Sequence, residues 1–486
     1  MLQEPNAASA LTDAPATGTS HFAKWHAGPH FERVLQRWSA IPTSLQQMVV
    51  FILVACVHFY FACARNDRNL YYDAREYWYA ASNFSLGAYT MPLRGYSYPF
   101  FCLILRTLAK TLRLNEFIVI WSANSLIAAA FGTLLVPGLV RRLLPQARFG
   151  WQAVLAFNAI LLSFYRGYTS YPLTDIPALA LLVLGLQWLL SSPWLSLLGG
   201  TALALSINVR PIYLISLVGL VPLICWRLFT DSRAGKGRAA LVWLSGLLVG
   251  LCLGFAPQVY INHRQVARYS ILPPTDQRYG KSLYLWQIEV GLGLQRYETN
   301  VGTAYPQPQV RFHDRVGTVI ASSAKTGLTS YADWLRLWTK YPRSLVALYG
   351  RHFFNGLDVS YPTPYLRSPY TRPLWGPLLN YSLIFLFLVR LRHMRSELIG
   401  NVPFIATLAC LLSPVAASIP TALEVRFFLP VHSVIFASVA FSGVLALGNL
   451  RRIRIVQLVY FLLFLLMCIT LSDTTYGSLE YLRVLR

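Results

Sequence analysis

Asp73 and Glu76 lie in a short run, Tyr71-Tyr72-Asp73-Ala74-Arg75-Glu76-Tyr77-Trp78-Tyr79, in a chain of 486 residues with only 19 Asp and Glu. Three residues apart, the two acids share a face if the run is helical. Asp175 follows Tyr171-Pro172-Leu173-Thr174 at the head of an apolar stretch, Arg210 precedes Pro211 at the foot of another, and Glu424 and Arg426 flank Val425. Carboxylates accept protons, and guanidinium groups hold anions through paired donors, so these residues form an acid/base and anion-binding set if they meet. Each also has an ordinary reading. The Tyr71–Tyr79 run suits an interfacial amphipathic helix with an aromatic belt, and Asp175 a charge at a helix N-terminus. Arg210 suits a snorkelling side chain, and Glu424 with Arg426 an ion pair in a tight turn.

The elements that must position them are membrane helices. The chain is 55% hydrophobic and 13% charged, with a mean hydropathy of +0.46, which is too apolar for a water-soluble fold of this length. Runs such as Met48–Ala64, Phe117–Pro137, Ala240–Tyr260 and Ile455–Leu471 are long enough for about 30 Å of hydrocarbon. The fold class expected is an all-α polytopic membrane protein. The net charge of +23 belongs to loops anchored at a lipid surface and not to nucleic acid binding. The seven cysteines form no CxxC and no His/Cys pair at ligand spacing, so neither a disulfide framework nor a metal site is expected.

Basic clusters orient the chain. Arg141-Arg142…Arg148, Arg227…Arg233…Lys236…Arg238, Arg390…Arg392…Arg395 and Arg451-Arg452…Arg454 all reach the cytoplasm if Tyr98–Leu108 is an interfacial helix and does not cross. About eleven spans result (10–13 allowing for short ones), near 47–64, 116–137, 149–165, 174–190, 194–208, 211–228, 239–260, 374–390, 399–418, 427–447 and 455–471. The expected organisation is a disordered cytoplasmic tail (1–45), a transmembrane module (46–261) with its first external loop at 65–115, an extracytoplasmic cap (262–373), C-terminal helices (374–472) and a short external tail (473–486). The acids and arginines then emerge together on the extracytoplasmic face. Residues 262–372 hold fourteen Lys and Arg against six Asp and Glu, interleaved with aromatics. They fit an anionic glycolipid or sugar surface, or equally a folded cap with an aromatic core, and Tyr331–Tyr349 reads as one amphipathic surface helix.

Together these features resemble the GT-C superfamily of membrane glycosyltransferases, particularly its protein O-mannosyltransferase and aminoarabinose-transferase-like branch. The resemblance rests on Asp73-x-x-Glu76-Tyr77 after the first span, on Gly95-Tyr96-Ser97-Tyr98-Pro99 before an interfacial helix, and on Asp175 in the second external link. It also rests on Glu424-Val425-Arg426-Phe427-Phe428-Leu429-Pro430, similar to the family's late E/H-x-R-Y/F-x-x-P pattern. Residues 45–215 and 374–470 are covered.

The resemblance implies a polyprenyl-phosphate sugar donor as co-substrate and inverting transfer on the outer face to a glycolipid, lipopolysaccharide or protein acceptor. Asp73 is then the general base and Asp175 the second acid, with Glu76 positioning the sugar or replacing Asp73 as base. Arg210 and Arg426 hold the donor phosphate, and Tyr72, Tyr77, Tyr98 and Glu424 contact acceptor or sugar. Neither a cofactor nor a metal is expected; no Asp-x-Asp motif occurs. The expected location is a bacterial inner membrane with the site facing the periplasm, and the expected state a monomer among membrane lipids. The rival readings are an O-antigen ligase or polymerase, for which His263, His313 and His352 are scattered candidates, a transporter of a lipid-linked or anionic solute, and a non-catalytic scaffold presenting the cap.

Overall fold

Apolar runs become helices because backbone removed from water must bond within itself. The computed structural model describes residues 42–86, 94–144, 150–323, 327–371, 373–398, 400–441 and 455–480. Most of the expected tail at 1–45, Arg148, the Arg451-Arg452…Arg454 cluster, the last part of the 427–447 span and the end of the 473–486 tail lie outside the described residues.

The first module runs through α1 (Thr43–Arg65), α2 (Tyr72–Ser82), α3 (Ser97–Thr111), α4 (Glu116–Leu143, with a π-helical turn at Phe131–Leu135) and α5 (Trp151–Tyr165). It continues with α6 (Asp175–Leu189), α7 (Ser196–Val209), α8 (Ser216–Arg233) and α9 (Gly237–Val266). The cap follows, with α10 (Leu283–Leu292), β1 (Leu294–Asn300), β2 (Gln309–His313), α11 (Arg315–Ser323), α12 (Tyr331–Lys340), α13 (Pro342–Leu357) and β3 (Tyr365–Leu366). The chain ends with α14 (Trp375–Leu398), α15 (Val402–Ser418), α16 (Leu429–Phe441) and α17 (Ile455–Tyr476).

Every stretch expected to span falls on one of these helices. Among the described residues five are long and apolar enough to cross a membrane: Ser44–Arg65, Glu116–Leu143, Pro211–Arg233, Gly237–Val266 and Ile455–Tyr476. Four further apolar helices, among them Asp175–Leu189 and Pro193–Val209, are shorter. The molecule is mostly helical and has the helices of a membrane protein.

The all-α expectation fits the molecule as a whole, refined in the cap by one small sheet. There β1 pairs antiparallel with β2 and parallel with β3, in the order β2-β1-β3. In β2 the sequence alternates with period two, burying Val310 and Phe312 and exposing Gln309 and Arg311. The single amphipathic helix expected over Tyr331–Tyr349 is corrected, because the chain breaks at Tyr341-Pro342. Proline lacks an N–H and disfavours helical geometry in the residue before it. The two halves fold back on each other, with Trp334 Nε1 donating to the Tyr349 hydroxyl at 2.9 Å. Leu345 is buried with Leu337 and Leu348, whereas Leu335 faces out. The cap thus has an aliphatic and aromatic core of its own.

Polar ties join cap and helices. Arg296 on β1 is buried, paired with Glu298 at 2.8 Å and Asp358 at 3.4 Å. Asp358 also accepts from Tyr381 of α14 at 2.8 Å and Ser472 of α17 at 2.6 Å. A buried charge is tolerated only when paired and hydrogen-bonded in this way. On the other flank Asp67, just after α1, accepts from Tyr171 at 2.7 Å and pairs with Arg367 of the cap at 3.3 Å.

Helices α7 and α9 meet through small residues at Gly246, Gly250 and Gly254, spaced four apart so that they share a face. A Cβ at Gly250 would collide with the Leu197 carbonyl and one at Gly254 with Ala204. This close approach fixes the end of α7, where Asn208 and Arg210 lie. Gly250→Leu is expected to cost at least about 2 kcal/mol, since rigid backbone must move, and to lower the thermal unfolding midpoint in detergent. An unchanged midpoint would contradict this packing.

Candidate functional site

Asp73 sits in the first turn of α2, a helix clamped from beneath. Trp78 Nε1 donates to Glu116 at the head of α4 at 2.8 Å, Arg106 of α3 donates to the Trp78 carbonyl at 3.0 Å, and Tyr77 packs edge-on against Tyr98 at 4.9 Å. From above the cap holds the same turn. Tyr365 donates to the Tyr71 carbonyl at 3.0 Å and accepts from Ala74 N–H at 3.4 Å, while Tyr72 donates to the Asn300 carbonyl at 3.2 Å. Tyr72 has φ +40°, a left-handed conformation that strains a residue with a bulky side chain. The grip of Tyr365 and Asn300 maintains that strained turn and aims Asp73.

Two arginines converge on Asp73. Arg94 lies 2.6 Å from Oδ1 and Arg426 3.0 Å from Oδ2. Arg426, in the short 3₁₀ turn Val425–Phe428 before α16, also lies 2.7 Å from Glu424 and 3.9 Å from Asp175. Asp175, the first residue of α6, is buried and paired with Arg210 at the end of α7. Arg210 and Arg426 both lie over the Phe427 ring, at 4.9 and 5.9 Å. Of the acids and arginines singled out in the sequence, all but Glu76 therefore form one network drawn from four separate segments. Burial pushes the Asp73 carboxyl upward, but the charges of Arg94 and then Arg426 outweigh it and hold the group down to about 2. Glu424 behaves oppositely: burial wins over Arg426 and its carboxyl titrates above the usual range.

Arg94 was missed in the sequence, although its neighbour Gly95 carries the signal. A side chain at Gly95 would strike the carbonyl of Asn208, and this contact brings Arg94 against the end of α7. The adjoining backbone is fixed by Tyr96 N–H donating to Gln258 at 3.0 Å and Ser97 N–H to Asn208 at 3.3 Å.

The network lines a cavity of about 660 Å³ between the helices and the cap. Tyr72, Asp73, Glu76, Tyr77, Arg210, Glu424 and Arg426 all face it, with Arg75 and Arg94. Glu76 is exposed there and has no ion pair among the described residues. Tyr98 does not line it. Instead it belongs to a second cavity of about 620 Å³, walled almost wholly by apolar side chains of α3, α4, α6 and α7, and its buried hydroxyl has no hydrogen-bond partner among the described residues. Val209 lines both cavities, and the Tyr77–Tyr98 pair stands between them.

The three histidines lie elsewhere. His263 stacks on Tyr269, His313 is 3.5 Å from Glu480, and His352 is buried with its two ring nitrogens 2.5 Å from the Ile419 and Leu294 carbonyls. Among the described residues no group of three or more His, Cys, Asp or Glu is placed to hold a metal ion. No family model matches this chain, and no curated protein matches it.

The depressed Asp73 carboxyl links its ion pairs to stability. A group with a folded-state pKa below its unfolded value stabilises the fold above the unfolded pKa and loses that contribution as pH falls through the folded one. Wild type is therefore expected to exceed Asp73→Asn by on the order of 2 kcal/mol above about pH 5. The gap closes as pH falls from about 4 to about 2. Chemical denaturation of both proteins in detergent across that range checks it, and a gap that does not change with pH contradicts the ion-pair assignment.

Proposed function

We propose that the protein is a GT-C-type membrane glycosyltransferase that moves a sugar from a polyprenyl-phosphate donor to an extracytoplasmic acceptor hydroxyl. The observation that carries the reading is the charged cavity bearing Asp73, Arg94, Arg210 and Arg426 against an apolar cavity of nearly equal size. One ligand that is anionic at its head and long and apolar behind it matches both. A donor phosphate would lie on Arg426 and Arg210, whose planar paired donors suit its oxygens, with the prenyl chain leaving past Val209 into the apolar cavity.

In the reaction, the acceptor oxygen forms a bond to the anomeric carbon and gives its proton to the Asp73 carboxylate. The bond from that carbon to the phosphate oxygen breaks, its electron pair staying on the phosphate. Attack opposite the leaving group inverts the anomeric centre. The polyprenyl phosphate departs as an anion held by arginines, so no strong general acid is needed.

Paired with two arginines, Asp73 is a weak base. A phosphate engaging Arg426 competes with Asp73 for the same guanidinium. As that pair loosens the carboxylate becomes more basic, so donor binding prepares the base for the acceptor. Glu76 faces the same cavity unpaired and is the alternative base.

Orientation follows from the two ends of the helix bundle. Arg141 and Arg142 close α4 at the end opposite Asp175, where Gln187 of α6 bonds the Leu135 carbonyl and Asn401 bonds the Leu143 carbonyl at 2.9 Å. With basic loops on the cytoplasmic side, the cavity opens to the periplasm of a bacterial inner membrane, and the helices make about eleven crossings.

Transfer from a panel of polyprenyl-phosphate sugars, with purified protein in nanodiscs, tests the reading. Asp73→Asn is expected to lower kcat by about 100-fold or more while still binding polyprenyl phosphate, and Glu76→Gln to retain most activity. Arg426→Lys is expected to raise the donor KM roughly tenfold. Full activity of a folded Asp73→Asn protein removes the base assignment, and failure of wild type to bind any polyprenyl phosphate removes the donor.

A further inference from the structure

The cap is strongly basic, yet among the described residues it places no charged side chain on the cavity. Six of its cations pair with acids away from the cavity: Arg268 with Asp276, Lys281 with Glu289, Arg296 with Glu298 and Asp358, Arg336 with Asp333, Arg351 with Asp314, and Arg367 with Asp67. The expectation that this charge serves an anionic glycolipid is therefore not met at the cavity wall. What the cap presents there is neutral. Tyr284 and Tyr331 lie with ring centroids 6.4 Å apart, Tyr284 anchored by donating to the Ala417 carbonyl at 2.7 Å and Tyr331 held by Ser282 at 2.8 Å. Beside them Gln287, Tyr297 and Thr299 line the cavity, and among the described residues their side chains have no hydrogen-bond partner.

We infer that the cap's share of the cavity is an acceptor subsite for an uncharged sugar ring, so that the hydroxyl acceptor is the end of a neutral glycan. This rests on the donor reading above. A pyranose has an apolar C–H face that packs on a tyrosine ring and a rim of hydroxyls that both donate and accept. An amide, a phenol and an alcohol supply that mixed neutral hydrogen bonding with no charge to desolvate. Inversion requires the acceptor to approach from the side away from the phosphate, and the arginines come from the helices, the segment just before α3 and the Glu424–Phe427 turn, none from the cap. The cap side is what they leave for the acceptor. A peptide acceptor fits less well, because β1, which carries Tyr297 and Thr299, pairs with β2 on one side, while on the other β3 pairs at Thr299 and Asn300 and the Tyr297 N–H donates to the Leu423 carbonyl at 2.8 Å, which leaves little edge for a strand to join.

Saturation-transfer NMR on the full-length protein in nanodiscs tests the subsite. The probes are methyl hexopyranosides and maltose as neutral sugars, methyl glucuronide and glucose 1-phosphate as acidic ones, and a Ser/Thr-rich peptide, with radiolabelled polyprenyl phosphate binding measured in parallel. The neutral sugars are expected to show transfer to ring C–H protons. Gln287→Ala and Tyr297→Phe are each expected to weaken their binding several-fold, up to roughly tenfold, with polyprenyl phosphate binding and the thermal midpoint unchanged. Signal from the acidic sugars or the peptide without the neutral ones overturns the subsite, as does silence from every neutral sugar while polyprenyl phosphate binds. Neutral-sugar binding sensitive to Gln287→Ala in a protein that binds no polyprenyl phosphate leaves the subsite standing and removes the donor reading alone.

Discussion

The contact between Arg426 and Asp73 joins residues 353 positions apart, and the arrangement of the cavity depends on it. Arg426 is 13% exposed and faces Asp73, Glu424 and Asp175 at once. Taking any one of these carboxylates away leaves positive charge poorly compensated in a low-dielectric setting, where an unpaired ion costs several kcal/mol. The ends of α2, α6 and α7 and the turn before α16 are thereby held in register. Packing of small residues between α7 and α9 and the cap's hold on the strained turn at Tyr72 are the mechanical supports that keep the charges within reach.

Segments whose pattern is local were legible in the sequence. Helices α1, α4, α9 and α17 are long apolar runs, and only one regular structure buries such a run in lipid. Asp73, Asp175, Arg210 and Arg426 could be singled out because charge is rare in this chain and each stood at the end of an apolar run. What could not be read was pairing at long range. Arg94 drew no reading in the sequence, because only the contact of Gly95 with Asn208 brings it to α7. Tyr98, expected to contact acceptor or sugar, instead lines the apolar cavity from the first turn of α3. In the cap, the strand alternation at Val310 and Phe312 is only five residues long, and Pro342 was too weak a signal against the helical spacing of Trp334, Trp338 and Leu345.

The charge balance of the cavity bears on how a substrate would enter. Arg75, Arg94, Arg210 and Arg426 are matched in number by Asp73, Glu76, Glu424 and the adjoining Asp175. These charges sum close to zero, so under the proposed function a donor phosphate would not be drawn by a surplus of positive charge; it would have to replace a carboxylate at an arginine. Glu424 is suited to yield, since burial already pushes its carboxyl upward and a proton taken there releases Arg426 without leaving a bare anion behind. Exchange of partners at one guanidinium would make such a site selective for an anion that brings further binding energy of its own. The apolar cavity beyond Val209 offers that energy only to a ligand with a long hydrocarbon chain. Under the proposed function a free phosphate would meet the same displacement without that gain, so the adjoining cavities would favour a lipid-linked phosphate over a soluble one.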